Sequence, residues 1–79
     1  MRIKEVVMSK KALVILAEGF EEIEAVAVIN ILRRGGVRVV VAGFSDDKVR
    51  GSRDIVMEVD QKLEDEPGDF DAIILPGGS

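Results

Sequence analysis

Apolar residues along this chain follow two rhythms. Ala12–Ala17 (ALVILA) is an unbroken apolar run between Lys10-Lys11 and Glu18-Gly19. A strand with one wet face would alternate; a continuous run with β-branched members fits a strand covered on both faces, as in a parallel sheet. From Glu21 to Arg34 the spacing turns helical, with Ile23, Val26, Ala27 and Ile31 on one face and Val28, Ile29 and Leu32 broadening it. Glu21, Glu22 and Glu24 fall in the first turns and Arg33 and Arg34 in the last, each sign where the helix dipole favours it. Gly35-Gly36 supplies the stop. Val37–Ala42 repeats the buried-strand pattern, so strand, helix and strand with short joins predict a right-handed parallel βαβ unit. After a polar loop at Phe44–Lys48, Val49–Ser52 and Ile55–Val59 predict two short strands joined around Arg53-Asp54, a hairpin off the main sheet. Gln61–Glu66 predicts one helical turn, broken by Pro67-Gly68. Ala72–Leu75 is a third buried-type strand that runs into Pro76-Gly77-Gly78.

Three strands that read as covered on both faces, with one substantial helix, leave one sheet face bare. Soluble monomers rarely tolerate such a patch. The missing cover is therefore expected from further chain or from a partner, which makes this chain the front part of a larger α/β protein. At 79 residues it is at most one small domain and marginal alone.

Composition removes several function classes. The net charge is −4 with both signs interspersed, and Phe20, Phe44 and Phe70 are the only aromatics. No basic stripe exists to follow a phosphate backbone, so a nucleic-acid partner is not expected. With no Cys and no His, a disulfide framework and a structural zinc site drop out, and no metal or other cofactor is expected. No apolar run approaches the roughly 20 residues of a membrane span, and the charged MRIKEVV start is too short for a signal peptide. A cytoplasmic chain with no membrane partner is the expectation.

Three places could carry chemistry. Glu18–Glu24 lies where the first strand meets the first helix, the edge at which open α/β sheets bind ligands. Dipole-favourable acids at a helix start account for Glu21 and Glu22. Glu24, next to Ile23 and three residues before Ala27, leans towards the covered side; partly buried beside an active site, it would favour its protonated form and could donate a proton. The same acids exclude a dinucleotide-binding glycine loop, since they would repel a pyrophosphate. Arg53, in Ser52-Arg53-Asp54, reads either as a surface turn residue paired with Asp54 or as a guanidinium that binds a carboxylate or shapes a pocket rim. Gly77-Gly78 reads either as a plain turn or as a pair of backbone N–H groups forming an oxyanion hole. Ser79 has no base nearby in sequence and is not proposed as a nucleophile.

Lys10–Ala17, Gly19-Phe20-Glu21-Glu22-Ile23-Glu24, Arg33-Arg34-Gly35-Gly36-Val37, Ser52-Arg53-Asp54 and Leu75-Pro76-Gly77-Gly78 together resemble the ThiJ/PfpI superfamily, in particular its DJ-one (protein deglycase-like) subfamily. The resemblance runs from Lys10 to Ser79, as the N-terminal part of a single domain, and leaves residues 1–9 as an N-terminal extension. It implies a flavodoxin-like α/β sandwich with a mainly parallel sheet, acting as a homodimer to which the first helix contributes. It also implies that Glu24 partners a reactive cysteine, that Gly77 and Gly78 flank the oxyanion site, and that Arg53 and Gly19 lie near the pocket and dimer contact. The family's cysteine and histidine belong to the remaining C-terminal part of the protein. The implied activity is a cysteine-dependent glyoxalase or deglycase acting on small aldehydes such as methylglyoxal, with oxidative-stress sensing. Alternatives are a redox-regulated chaperone and, less well matched, a PfpI-type amidase or peptidase.

Overall fold

A computed structural model describes residues 10–44, 46–65 and 68–78. The chain runs β1 (Lys11–Leu16), α1 (Glu22–Arg34), β2 (Arg38–Gly43), β3 (Lys48–Arg50), β4 (Val56–Glu58), β5 (Gln61–Lys62), a 3₁₀ turn at Leu63–Asp65, and β6 (Ala72–Ile74). The main sheet has the order β5-β2-β1-β6 and every pairing in it is parallel. The longest apolar run thus becomes an interior strand. β1 pairs along its whole length with β2, and its Ala12–Val14 segment pairs with β6.

The register sorts side chains into two faces. Val14 lies between Val41 and Ile74, and this row packs under α1 against Ala25 and Ile29. Val14 and Leu16 are fully buried, each contributing about 1.5–3 kcal/mol of transfer free energy. Leu13, between Val40 and Ile73, points to the opposite face, and there Ile73 is 60% exposed. The expectation that the third strand is covered on both faces therefore does not hold in this chain: Ile73 and Leu75 are exposed on that side, over which no element among the described residues lies, and Ala72 is exposed at the start of β6. β3 and β4 form the anticipated antiparallel hairpin as a separate two-stranded sheet.

Two further expectations are corrected. The helix does not bury the Ile23, Val26, Ala27, Ile31 stripe; Ile23 is 78% exposed and Ile31 64%. It turns Glu22, Ala25 and Ile29 inwards, with Val28 and Leu32 beside them. Aliphatic residues occupy most positions around this helix, so periodicity alone left its rotation open, and Glu22 fixes it by docking on the hairpin. Gln61–Lys62, read as the start of a helical turn, is instead a two-residue strand on the edge of β2, and only Leu63–Asp65 is helical. Glu66, the last residue of that predicted turn, lies outside the described residues, as do residues 1–9 and Ser79.

The helix ends follow the sequence closely. Glu21 is the N-cap, its Oε1 accepting from the Ile23 and Glu24 amides at 2.9 and 3.2 Å. Gly36 carries φ +88°, a left-handed conformation that closes the helix at little cost only for glycine. Arg33, in the last turn, donates to the Val39 carbonyl at 3.0 Å and to Asp60 Oδ2 at 3.4 Å. That same Asp60 oxygen accepts from Val41 N at 2.8 Å.

Candidate functional site

The loop between β1 and α1 joins two banks. On one side, the Gly19 amide donates to the Arg50 carbonyl at 2.8 Å and the Ser52 amide to the Phe20 carbonyl at 2.8 Å. On the other, the Glu21 amide donates to the Gly77 carbonyl at 2.7 Å, and Phe20 forms an isolated antiparallel bridge with Gly78. Phe20 itself is 2% exposed, anchored in the core. The hairpin turn and the chain segment after β6 are thus held a few ångströms either side of one apolar pin.

Glu24 meets the glycine pair. Its Oε1 accepts the Gly77 N–H, and that carboxylate is also what a Cβ on Gly77 would touch first. Two residues 53 apart in sequence are so brought together at the carboxyl end of β6, where α/β sheets place ligands. Glu24 is exposed rather than partly buried in this chain. The Gly77 N–H is engaged by Glu24, whereas the Gly78 N–H has no partner among the described residues. Gly78 thus keeps an unpartnered backbone donor beside the Glu24 carboxylate, among the described residues.

Arg53 lies on the other bank. Its amide is fixed, but its guanidinium is exposed and has no partner among the described residues. The expected pairing with Asp54 is not made; Asp54 instead sits 3.8 Å from Arg50. No hydrogen bond joins the Arg53 side chain to Glu24, Gly77 or Gly78 among the described residues.

The residue that sequence reasoning passed over is Glu22. It is the one buried charged side chain among the described residues, 5% exposed. Its Oε2 accepts from the Arg53 amide at 2.7 Å and the Ile55 amide at 3.2 Å, and its Oε1 from the Ser52 hydroxyl at 3.3 Å. Burial pushes the carboxyl up, but these donors and its own amide together outweigh burial and hold it below its ordinary value. Gly51 makes room for it: a Cβ there would come within 2.5 Å of Glu22 Cδ and 2.6 Å of Cγ. An acid at a helix start already has a dipole explanation, so only its place in the Glu22, Ala25, Ile29 row could have pointed to burial.

Two hollows lie nearby. A shallow apolar recess of about 370 Å³ is lined by Glu22, Ile23, Val26, Ala27 and Ile55. A narrow cavity of about 60 Å³ between the ends of β1 and β2 includes none of the candidate residues. Among the described residues no cluster of three potential metal ligands occurs, and no helix is long and apolar enough to cross a membrane.

The DJ-1/PfpI family matches residues 10–79. The chain belongs to that family. It is 44% identical over 72 residues to the Parkinson disease protein 7 homolog of Danio rerio, covering 87% of this chain and 38% of the relative. A Thermococcus kodakarensis protein named a deglycase is 35% identical over 69 residues, covering 86% of this chain and 42% of that one. The structure of oxidized Toxoplasma gondii DJ-1 superposes with a TM-score of 0.85 at 42% identity, covering 89% of this chain and 39% of that one. The flavodoxin-like α/β class anticipated from the sequence is the fold of this DJ-1/PfpI chain, which contains part of it. The chain spans about two fifths of the length of these relatives.

Proposed function

We propose that this chain supplies the acid and backbone-donor half of a cysteine-dependent site that processes reactive aldehydes such as methylglyoxal or their protein adducts. The observation that carries the reading is the Glu24–Gly77 contact, which sets a carboxylate beside the unpartnered Gly78 N–H at the end of β6. A relative named a deglycase supports the substrate class. The nucleophile is a cysteine thiolate contributed by the remaining part of the complete protein, which also covers the exposed Ile73 face. The thiolate adds to the aldehyde carbon, and Gly78 stabilises the oxyanion. Glu24 moves a proton as the aldehyde carbon is oxidised and the neighbouring ketone carbon reduced, so no external oxidant is needed. Water then cleaves the thioester, returning the thiolate and releasing a hydroxy acid.

A thiolate of this kind is oxidation-prone, and oxidative-stress sensing is the second part of the proposal. Support comes from a relative whose structure is of an oxidized form. A homodimer is the third part. Ile23, Val26 and Ile55, 78%, 47% and 55% exposed, line the recess on the outer side of α1, and a second copy is its proposed occupant. Ile23→Asp should shift the complete protein to monomer in sedimentation. A cytoplasmic location belongs to the same proposal, with cell fractionation as its check.

In the complete protein, Glu24→Gln and Glu24→Ala should raise the pKa of the cysteine or lower the glyoxalase rate. If both variants left thiol pKa and rate unchanged, Glu24 would not have this role. Exposed apolar surface outside that recess, such as Ile31 at 64% exposed, favours a second reading, a redox-regulated chaperone. Suppression of client aggregation, compared with aldehyde turnover before and after mild peroxide, separates the two.

A further inference from the structure

We propose that Glu22 is a positioning residue whose buried carboxylate fixes the Gly51–Ile55 turn, and through it Arg53, relative to the helical turn that carries Glu24. The inference deepens the proposed aldehyde-processing site and rests on that reading for the role of Arg53. Residues two apart on a helix point about 200° apart around its axis. Glu22 therefore reaches the hairpin while Glu24 reaches Gly77. Glu21, between them, caps the helix with its side chain and holds the Gly77 carbonyl with its amide. One turn of α1 thus grips both banks of the site.

On the hairpin side every contact is a donor meeting an oxygen of the Glu22 carboxylate. Arg53 N and Ile55 N both approach Oε2, and Ser52 Oγ approaches Oε1. The turn they hold is not relaxed: Asp54 sits at φ 69°, in the left-handed region, with its amide bonded to the Gly51 carbonyl at 3.1 Å. A turn in that conformation needs outside anchors to persist. Arg53, with its backbone fixed and its guanidinium unpartnered among the described residues, is set up to recognise an anionic or carbonyl group without first having to order its own main chain.

The test uses the complete protein. Amide hydrogen exchange at Arg53 and Ile55 should quicken about tenfold or more in Glu22→Ala, while Val14 and Val41 in the sheet stay protected. Glu22→Gln, whose amide oxygen can still accept both N–H groups, should keep the wild-type pattern. Glu22→Asp, one methylene shorter, should loosen the turn as alanine does, and serves if Glu22→Ala does not fold. In glyoxalase assays, Glu22→Ala (or Glu22→Asp) and Arg53→Ala should each raise KM by a similar factor with kcat held within about twofold, and the double variant should be no worse than Arg53→Ala. A purely structural Glu22 would not show that saturation. Unchanged exchange at Arg53 and Ile55, or KM effects that multiply in the double variant, would overturn the proposal. If the wild-type protein showed no aldehyde turnover, the proposed function would fall, and exchange at the two amides would still decide whether Glu22 positions the turn.

Discussion

Phe20 offers the sharpest test of how this site is held. The three phenylalanines look alike in sequence, yet Phe20 is 2% exposed and Phe44 52%. Truncating a buried phenylalanine to alanine costs about 3–5 kcal/mol through lost transfer energy and the cavity left behind. The 72 matched residues make up 38% of the Danio relative, so that relative has about 190 residues, and in a domain of that size each kcal/mol moves Tm by about 2–4 °C. Phe20→Ala in the complete protein should therefore lower Tm by about 6–20 °C in a thermal scan followed by far-UV circular dichroism. Phe44→Ala, at an exposed loop position, should change stability by no more than about 0.5 kcal/mol. Phe20→Leu should fall between them. Because Phe20 pins the loop bonded to both Ser52 and Gly77, Phe20→Ala should also lose activity below its melting range, where Phe44→Ala keeps it. Equal melting shifts for the two alanine variants would refute the account of Phe20 as the pin.

Other outcomes follow from the same geometry. Gly51→Ala should destabilise the protein, because the added Cβ displaces the buried Glu22 side chain; a wild-type Tm would contradict this. The Glu22 carboxyl is held below its ordinary 4.5, so its contribution to stability is fully present above that value and is lost as pH falls through the lower folded value. Acid titration of Tm should therefore be steeper in wild type than in Glu22→Gln across the acid range below 4.5, and parallel curves would count against the carboxylate's role. Asp54→Val should cost about 1–2 kcal/mol because a β-branched residue resists φ 69°. Asp54→Gly should be near neutral, and urea melts of the pair would show the difference.

The sheet and hairpin were legible because their signals are local. ALVILA between charged flanks and the Arg53-Asp54 turn each carry their own punctuation. The rotation of α1 was not, since aliphatic residues occupy most of its surface and the deciding contact is made by Glu22 with a turn some 30 residues away. β5 was missed because a two-residue strand exists only through its neighbour β2. Of the site, Glu24 and Gly77-Gly78 stood out by their places at strand and helix ends and by family resemblance. Their direct contact depends on the parallel pairing of β1 with β6, which no short window of sequence contains.

The interior place of β1 also has a consequence in time. Its β6 edge stays open until a segment 60 residues later arrives, as the Ala12–Ala72 pairing shows. At about 5–20 residues per second of synthesis, an apolar strand edge waits unpaired for about 3–12 s on the ribosome. During that interval it is a template for any other extended apolar segment. Nascent-chain protection by a chaperone should therefore matter most between emergence of β2 and emergence of β6, and the distance that brings Glu24 to Gly77 is also the interval during which this protein is most exposed to misassembly.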